Sequence, residues 1–241
     1  MNHFFVDPEL IQTSQIVFPA DVSHQIVRVL RLKLNDHVVV LDNQGNQLEV
    51  VLEDLNGKQV LGRIIERMKV DAEPELNLHL LVAFTQREKF EWILQKCCEL
   101  GVRKITPLIT ERSLIISDQD FAKKKERWVR ILKEAAEQSR RGLIPVLENP
   151  LKFEEALRIP AAFRWIAWEH EISQRLDDLM NGQKLTEAAV CIGPEGGFSN
   201  GEIQIAQKLG WQPFSLGKRI LRMETAAVVA CALLFHLSQD I

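Results

Sequence analysis

The rhythm of the chain changes once, and that change limits what it can fold into. Up to about residue 72 the apolar stretches are short and rich in β-branched residues; beyond it, strand-like runs alternate with helical ones. Val38-Val39-Val40-Leu41 leads into the turn residues Asp42 to Asn46 and then Leu48-Glu49-Val50-Val51-Leu52, which predicts a hairpin. Asn56-Gly57 is a second turn signal, followed by a strand over Gln59 to Ile65. One helix is expected at Val22 to Leu30. Short strands at this spacing suggest a small β-barrel over residues 1–72. The polar, proline-containing stretch Val70 to Glu75 reads as a linker.

After the linker, Leu76 to Phe84 reads as a strand. Phe90, Ile93, Leu94, Cys97 and Cys98 recur at helical spacing, so Lys89 to Leu100 is an amphipathic helix that Gly101 caps. Further strands are expected at Ile105 to Ile109, Phe163 to Trp168, Ala188 to Ile192 and Pro213 to Leu216. Lys123 to Ser139 is a basic helix. Ser199 with Glu202 three residues later forms a capping box that opens a helix to Leu209. Glu224 to Leu237 is a helix apolar nearly all round, which predicts burial. The alternation predicts an α/β domain over 73–241, with a parallel sheet covered by helices on both faces.

Composition excludes several classes. The four cysteines form no CxxC pair and the six histidines no HExxH, so neither a disulfide framework nor a metal site is expected. The longest apolar stretch, Ala226 to Phe235, is too short to span a bilayer, and the N-terminus lacks the pattern of a signal peptide. A cytoplasmic protein without membrane partners is expected. With a net charge of −3, nucleic-acid binding would have to rest on local patches.

Two segments invite chemistry. Gly193-Pro194-Glu195-Gly196-Gly197 follows a predicted strand and precedes a capped helix, the place where open α/β sheets bind ligands. It is no phosphate loop: GxGxxG is missing, no Lys-Ser/Thr follows, and Glu195 would repel a phosphate. A ligand-free tight turn explains the glycines equally well. Leu216 to Ala226 carries Lys218, Arg219 and Arg222 around the apolar pair Ile220-Leu221. Glu224 and Thr225 suit a helix start, but the arginines are less easily explained that way.

Together "GPEGGFS" and "LGKRILRMETA", about twenty residues apart, resemble the bacterial ribosomal RNA uridine-N3 methyltransferase family of the SPOUT superfamily. His24 with Val29-Leu30-Arg31, Glu91 to Val102 with Thr106-Pro107, Glu111-Arg112-Ser113 and Glu134 to Ser139 match in the same order, so the resemblance covers nearly the whole chain. Asn35-Asp36 stands where the family often has Gly-Asp, and Arg140-Arg141-Gly142 where it often has Gly-Arg.

The resemblance implies an N-terminal PUA-like β-barrel, a C-terminal SPOUT α/β domain with a trefoil knot, and a homodimer. It implies S-adenosylmethionine as cofactor, held by Gly193, Pro194, Glu195, Gly196 and Gly197, by Leu216, Gly217, Ile220 and Leu221, and by Thr225 and Ala226. The implied substrate is a uridine in the decoding region of small-subunit ribosomal RNA, free or in an assembled subunit. Uridine N3 holds its proton at neutral pH, so catalysis needs a group to stabilise the anion and one to take the proton. Arg222 suits the first role, and Glu195 or Glu224 the second.

For RNA, residues 122–141 hold eight basic against three acidic residues, among them Lys123, Lys124, Arg127, Arg140 and Arg141. Residues 1–75 hold seven against twelve, so there only a local face with Arg28, Arg31 and Lys33 could meet phosphate. A methyltransferase of the same superfamily acting on another RNA or atom, and a non-catalytic RNA-binding assembly factor, remain open at this level.

Overall fold

The computed structural model describes residues 1–55, 59–180 and 182–241. The Asn56-Gly57 turn lies outside them. The chain divides into two compact units, residues 1–73 with 136–144, and residues 74–135 with 145–241. A single cut near residue 72 therefore misses one feature: the segment Ala136–Ile144 groups with the first unit.

In the first unit, β1 (Asn2–Phe5), β2 (Gln15–Val17), β3 (His37–Leu41), β4 (Asn46–Asp54) and β5 (Leu61–Lys69) form one sheet in the order β1-β3-β4-β5-β2. β1 runs parallel to β3 and the other pairs are antiparallel. Alternate residues Val38 and Val40 on β3, and Leu48, Val50 and Leu52 on β4, point into one core with Phe4, Ile16 and Phe18. The expected hairpin is β3–β4. Helix α1 (Ala20–His24) continues as a π turn over Gln25–Val29 and seals the core through Val22 and Ile26, one helical turn apart. The sheet is a path ending at β1 and β2, and no pairing of those two strands closes it among the described residues.

The expected linker is not a loose one. Glu73 accepts hydrogen bonds from Arg141 Nε (3.2 Å) and Nη2 (3.1 Å) and from the Leu143 N–H (3.1 Å). Arg141 is 1% exposed. Such a guanidinium cannot reach a phosphate, so the expectation that Arg141 binds RNA is corrected. Arg140 before it takes φ 60°, the left-handed conformation that glycine adopts most easily, at the position where the family often carries Gly.

In the second unit, β6 (Asn77–Ala83), β7 (Lys104–Ile109), β8 (Val146–Leu147), β9 (Leu151–Lys152), β10 (Phe163–Ala167), β11 (Glu187–Ile192) and β12 (Gln212–Phe214) form an all-parallel sheet. Its order is β12-β10-β11-β6-β7-β8, with β9 beside β7. The helices are α2 (Arg87–Leu100), α3 (Asp118–Gln138, which from Ala136 on groups with the first unit), α4 (Phe153–Ala156), α5 (Leu176–Met180), α6 (Asn200–Lys208) and α7 (Met223–Ser238). Leu81, Ala189 and Cys191 face α4 and α6 in one core cluster. The sequence reading missed the short elements β1, β2, β8, β9, α4 and α5, which are too brief to show a period. It also made α7 wholly buried. Ala227, Ala230, Cys231, Leu234 and Phe235 are buried, but Leu233 is 40% exposed and Thr225 and His236 are exposed.

Candidate functional site: a cleft at the carboxyl ends of three strands

The sheet order brings β11, β10 and β12 side by side, so the loops leaving their carboxyl ends converge. Trp168 and Glu169 follow β10, Gly193 to Gly197 follow β11, and Ser215 to Leu221 follow β12. With Lys89 and the first turn of α7 they line a cleft of about 570 Å³. Both sequence segments singled out above thus meet in one place, although about twenty residues separate them.

The first loop is tightly built. The Gly197 N–H closes a turn onto the Pro194 carbonyl at 2.9 Å, and Gly197 has φ 68°. A Cβ there would run into the Glu169 carboxylate, and one at Gly193 would meet the Phe198 ring at 2.9 Å. Ser199 and Glu202 form the expected capping box. The second Glu202 oxygen accepts the Glu111 N–H at 2.9 Å and ties the loop after β7 to α6. From that loop Arg112 Nη1 donates to the Gly196 carbonyl at 2.8 Å.

Glu195 is anchored rather than free. Its Oε1 accepts from Thr85 Oγ1 at 2.5 Å and from Lys89 Nζ at 3.0 Å. Burial works to raise its pKa, but the Thr85 hydroxyl, its own backbone N–H and the Lys89 ammonium outweigh burial and hold the carboxyl below its ordinary value. A carboxylate stabilised in its charged form is a weak base. Glu195 thus holds the loop through Oε1, which makes it the weaker of the two carboxylates considered as proton acceptor.

The second loop is the opposite. Lys218, Arg219 and Arg222 are exposed, and Ile220 is 87% exposed. Arg222 is the N-cap of α7 but makes no side-chain capping bond. Two buried polar atoms of cleft-lining residues lack a partner among the described residues: Trp168 Nε1, a donor, and Glu224 Oε2, an acceptor. A buried polar atom left unpaired costs roughly 1–3 kcal/mol, so a ligand offering both an acceptor and a donor would be favoured here. S-adenosylmethionine carries both kinds of group, and its size suits a cleft of this volume.

Comparison with known proteins agrees with this geometry. Residues 72–235 match the RNA methyltransferase domain model, and residues 18–65 match the RNA methyltransferase PUA domain model. The chain belongs to the RNA methyltransferase family. Among its relatives are two proteins named ribosomal RNA small subunit methyltransferase E. One, from Synechocystis sp., is 36% identical over 94% of this chain and 75% of its own length. The other, from Mesomycoplasma hyopneumoniae, is 33% identical over 95% and 96%. A crystal structure of the Neisseria gonorrhoeae ribosomal RNA small subunit methyltransferase E bound to S-adenosyl methionine superimposes with a TM-score of 0.89. It is 30% identical, with 98% of each chain covered.

Within this methyltransferase domain, most of the expected cofactor residues line the cleft: Gly193, Pro194, Glu195, Gly196, Gly197, Leu216, Gly217, Ile220, Leu221 and Ala226, with Arg222 and Glu224 beside them. Thr225 does not. It is exposed, because residues two apart on a helix lie about 200° from each other, and Met223 and Ala227 take the inward positions. Arg127, exposed on α3, is also an ion-pair partner. It forks onto Glu91 through Nε (2.7 Å) and Nη2 (2.9 Å), so its guanidinium is committed within the fold. That hydrogen bond, against the opposing effect of burial and with help from Arg87, lowers the Glu91 pKa to about 2. Lys123 and Lys124 remain as exposed cations on α3, and Arg28, Arg31 and Lys33 are exposed in the first unit.

Sequence reasoning missed Thr85, Lys89, Arg112, Trp168 and Glu169. Trp168 and Glu169 were within reach, since they follow a strand the sequence did reveal, and ligands gather at that end of a parallel strand.

Proposed function

We propose that this chain transfers the methyl group of S-adenosylmethionine to N3 of a uridine in the decoding region of small-subunit ribosomal RNA, free or assembled. The observation that carries the methyl-transfer reading is the cleft itself, with unpaired Trp168 Nε1 and Glu224 Oε2 beside a loop whose Gly193 and Gly197 admit no side chain. The printed names of the relatives, and the cofactor in the Neisseria structure, support the substrate class and the donor. The uridine and its N3 atom rest on the family resemblance.

The cofactor would be held by Gly193 to Gly197 and by Leu216, Gly217, Leu221 and Ala226, with Ile220, exposed at the rim, left to the acceptor, and when bound it supplies a methyl already activated by the sulfonium. The protein's part is to orient the acceptor and manage one proton. As N3 loses its proton, negative charge spreads onto the flanking carbonyl oxygens. Arg222, exposed at the N-terminus of α7, offers those oxygens a two-pronged donor, and the helix dipole adds to its effect. Of the two carboxylates first considered, Glu224 is the better proton acceptor: no protein group among the described residues occupies Oε2, whereas Glu195 Oε1 is held by Thr85 and Lys89.

The same reading includes a trefoil-knotted chain path and cytoplasmic work. No helix among the described residues is long and apolar enough to cross a membrane. It also includes a homodimer, for which the half-exposed α7 with Leu233 uncovered provides apolar surface. RNA would meet Lys123, Lys124 and Arg140, and Arg28, Arg31 and Lys33. Two experiments test the proposal. Calorimetric titration with S-adenosylmethionine should give one-site binding, and a null heat would overturn the cofactor reading. Methylation of small ribosomal subunits and of naked RNA, with mapping of the product, should place the methyl on a uridine N3; a methyl on another atom would overturn the acceptor.

A further inference from the structure

The first unit holds a second cavity, far simpler in composition than the cleft. Cross-strand pairing sets Leu48 opposite Arg67 and Asn46 opposite Lys69, which puts these four side chains on one face of the β4–β5 ribbon. Leu48 belongs to the core, and two residues earlier on the strand the same face becomes polar. A cavity of about 490 Å³ opens there, with Pro8, Ile11 and Met68 as its accessible apolar residues and Asp42, Gln44, Asn46, Arg67 and Lys69 as polar ones.

Its polar wall is preformed. Asp42 Oδ1 accepts from the N–H groups of Gln44 (2.8 Å) and Asn46 (3.0 Å), and Oδ2 accepts from Asn46 Nδ2 (2.7 Å). Asn43, at φ 57°, accepts the Ile144 N–H at 2.8 Å, and the Val70 N–H donates to the Gly45 carbonyl at 2.9 Å. A carboxylate has about four acceptor positions, and the hydrogen bonds to Asp42 leave one on Oδ2. Asp42 is 9% exposed and lines the cavity, so that position is reached from the cavity side. Arg67 is turned to the carbonyls of Gln12 (2.6 Å) and Thr13 (3.3 Å), whereas Lys69 is exposed at the rim. The buried carboxylate disfavours a phosphate inside the cavity and favours an N–H donor, while Lys69 favours an anion outside it.

We propose that this cavity binds one unpaired nucleotide of the RNA substrate, its base against Pro8 and Ile11, an exocyclic amino group donating to Asp42 and the phosphate at Lys69. Adenine, cytosine and guanine carry such an amino group; uracil does not. Gln44, exposed beside Asp42, supplies an amide to the neighbouring base edge. The proposal rests on the reading of the chain as an enzyme acting on RNA.

The test is a titration of the full chain with adenosine, cytidine, guanosine and uridine monophosphates, followed through backbone amide chemical shifts. Gln44, Asn46, Leu48 and Lys69 should shift with the first three nucleotides and not with uridine monophosphate. Equal shifts for all four, no shifts, or shifts confined to the cleft overturn the proposal. Gln44→Ala and Lys69→Gln, both at exposed positions, should each raise the KM for small subunits roughly tenfold, with kcat and cofactor affinity unchanged. An unchanged KM in both variants also overturns it. Failure of the wild-type chain to bind S-adenosylmethionine would sink the enzyme reading alone, since the nucleotide titration reads this cavity independently.

Discussion

The two loops of the cleft are built on opposite principles. Gly193 to Gly197 is fixed from several directions: by its own turn, by Arg112 on the Gly196 carbonyl, and by Thr85 and Lys89 on Glu195. Leu216 to Arg222 is held mainly at its ends, where the Ser215 N–H donates to the Gln174 carbonyl at 2.8 Å and the Ala226 N–H to the Arg222 carbonyl at 2.8 Å. Its cations and Ile220 face solvent. A rigid wall avoids ordering costs on binding and suits a small ligand of fixed shape. An open, cationic wall suits a large anionic partner that brings its own contacts. Under the proposed function, the cofactor meets the fixed loop and the inner residues of the second, and the acceptor RNA meets the second loop's exposed cations.

The strongest way to break that division is Arg222→Lys. A lysine keeps the charge but loses the planar fork. Turnover should fall by about 10²-fold, the usual cost of losing one aligned donor to a developing oxyanion, with S-adenosylmethionine affinity unchanged. Single-turnover methylation and calorimetry on the same preparation check both halves. Normal turnover would remove Arg222 from the acceptor side.

Next comes Gly197→Ala in the rigid loop. The left-handed backbone costs an L-residue about 1–2 kcal/mol, and the new Cβ must also displace the Glu169 carboxylate. Cofactor affinity should weaken about 30-fold, equivalent to about 2 kcal/mol. An alanine variant that binds as tightly as the wild type would show that this loop does not shape the cofactor site.

These two variants also mark what the sequence could show. The glycine loop was legible because a strand, a glycine cluster and a capping box are all local signals. Lys218 to Arg222 was legible because apolar residues among exposed cations are unusual. The partners of the first loop were not. Thr85, Arg112 and Glu169 reach it only because β10 and β6 flank β11 and β7 lies beside β6, and strand order is a non-local property. Thr225 was misplaced because a helix start fixes no rotation until its neighbours are known. Arg141 was misread because a basic run looks the same whether its cations are solvated or, as here, one is buried on Glu73. The burial of α7 was overestimated because apolar content does not say which face the chain itself covers.

A smaller effect is expected from Glu195→Gln. The amide can still accept from Thr85 and Lys89 but loses its charge, so cofactor affinity should fall only about threefold, in line with a partly exposed ion pair. The pH dependence sharpens this. Because the folded-state pKa lies below the ordinary 4.5, the clamp is complete above that value and is lost only as the pH falls through the lowered one. Wild-type affinity should therefore be flat from neutral pH down to about 4.5, and the variant should show no added loss below it. A midpoint near neutrality would instead mean that Glu195 gives up its clamp in the working range.

The smallest change on stability should come from Ile220→Ala in the open loop. A side chain 87% exposed leaves almost no apolar area to lose, so the unfolding free energy should move by no more than about 0.5 kcal/mol. Its effect on function should be separable from its effect on the fold. If the open loop receives RNA, the KM for small subunits should rise while S-adenosylmethionine affinity stays within about twofold, because Ile220 would then contribute apolar surface to the larger partner. Denaturant unfolding, calorimetry and a KM measurement on one variant distinguish the outcomes. A loss confined to cofactor affinity would move Ile220 to the cofactor wall and erase the distinction between the two loops at that position.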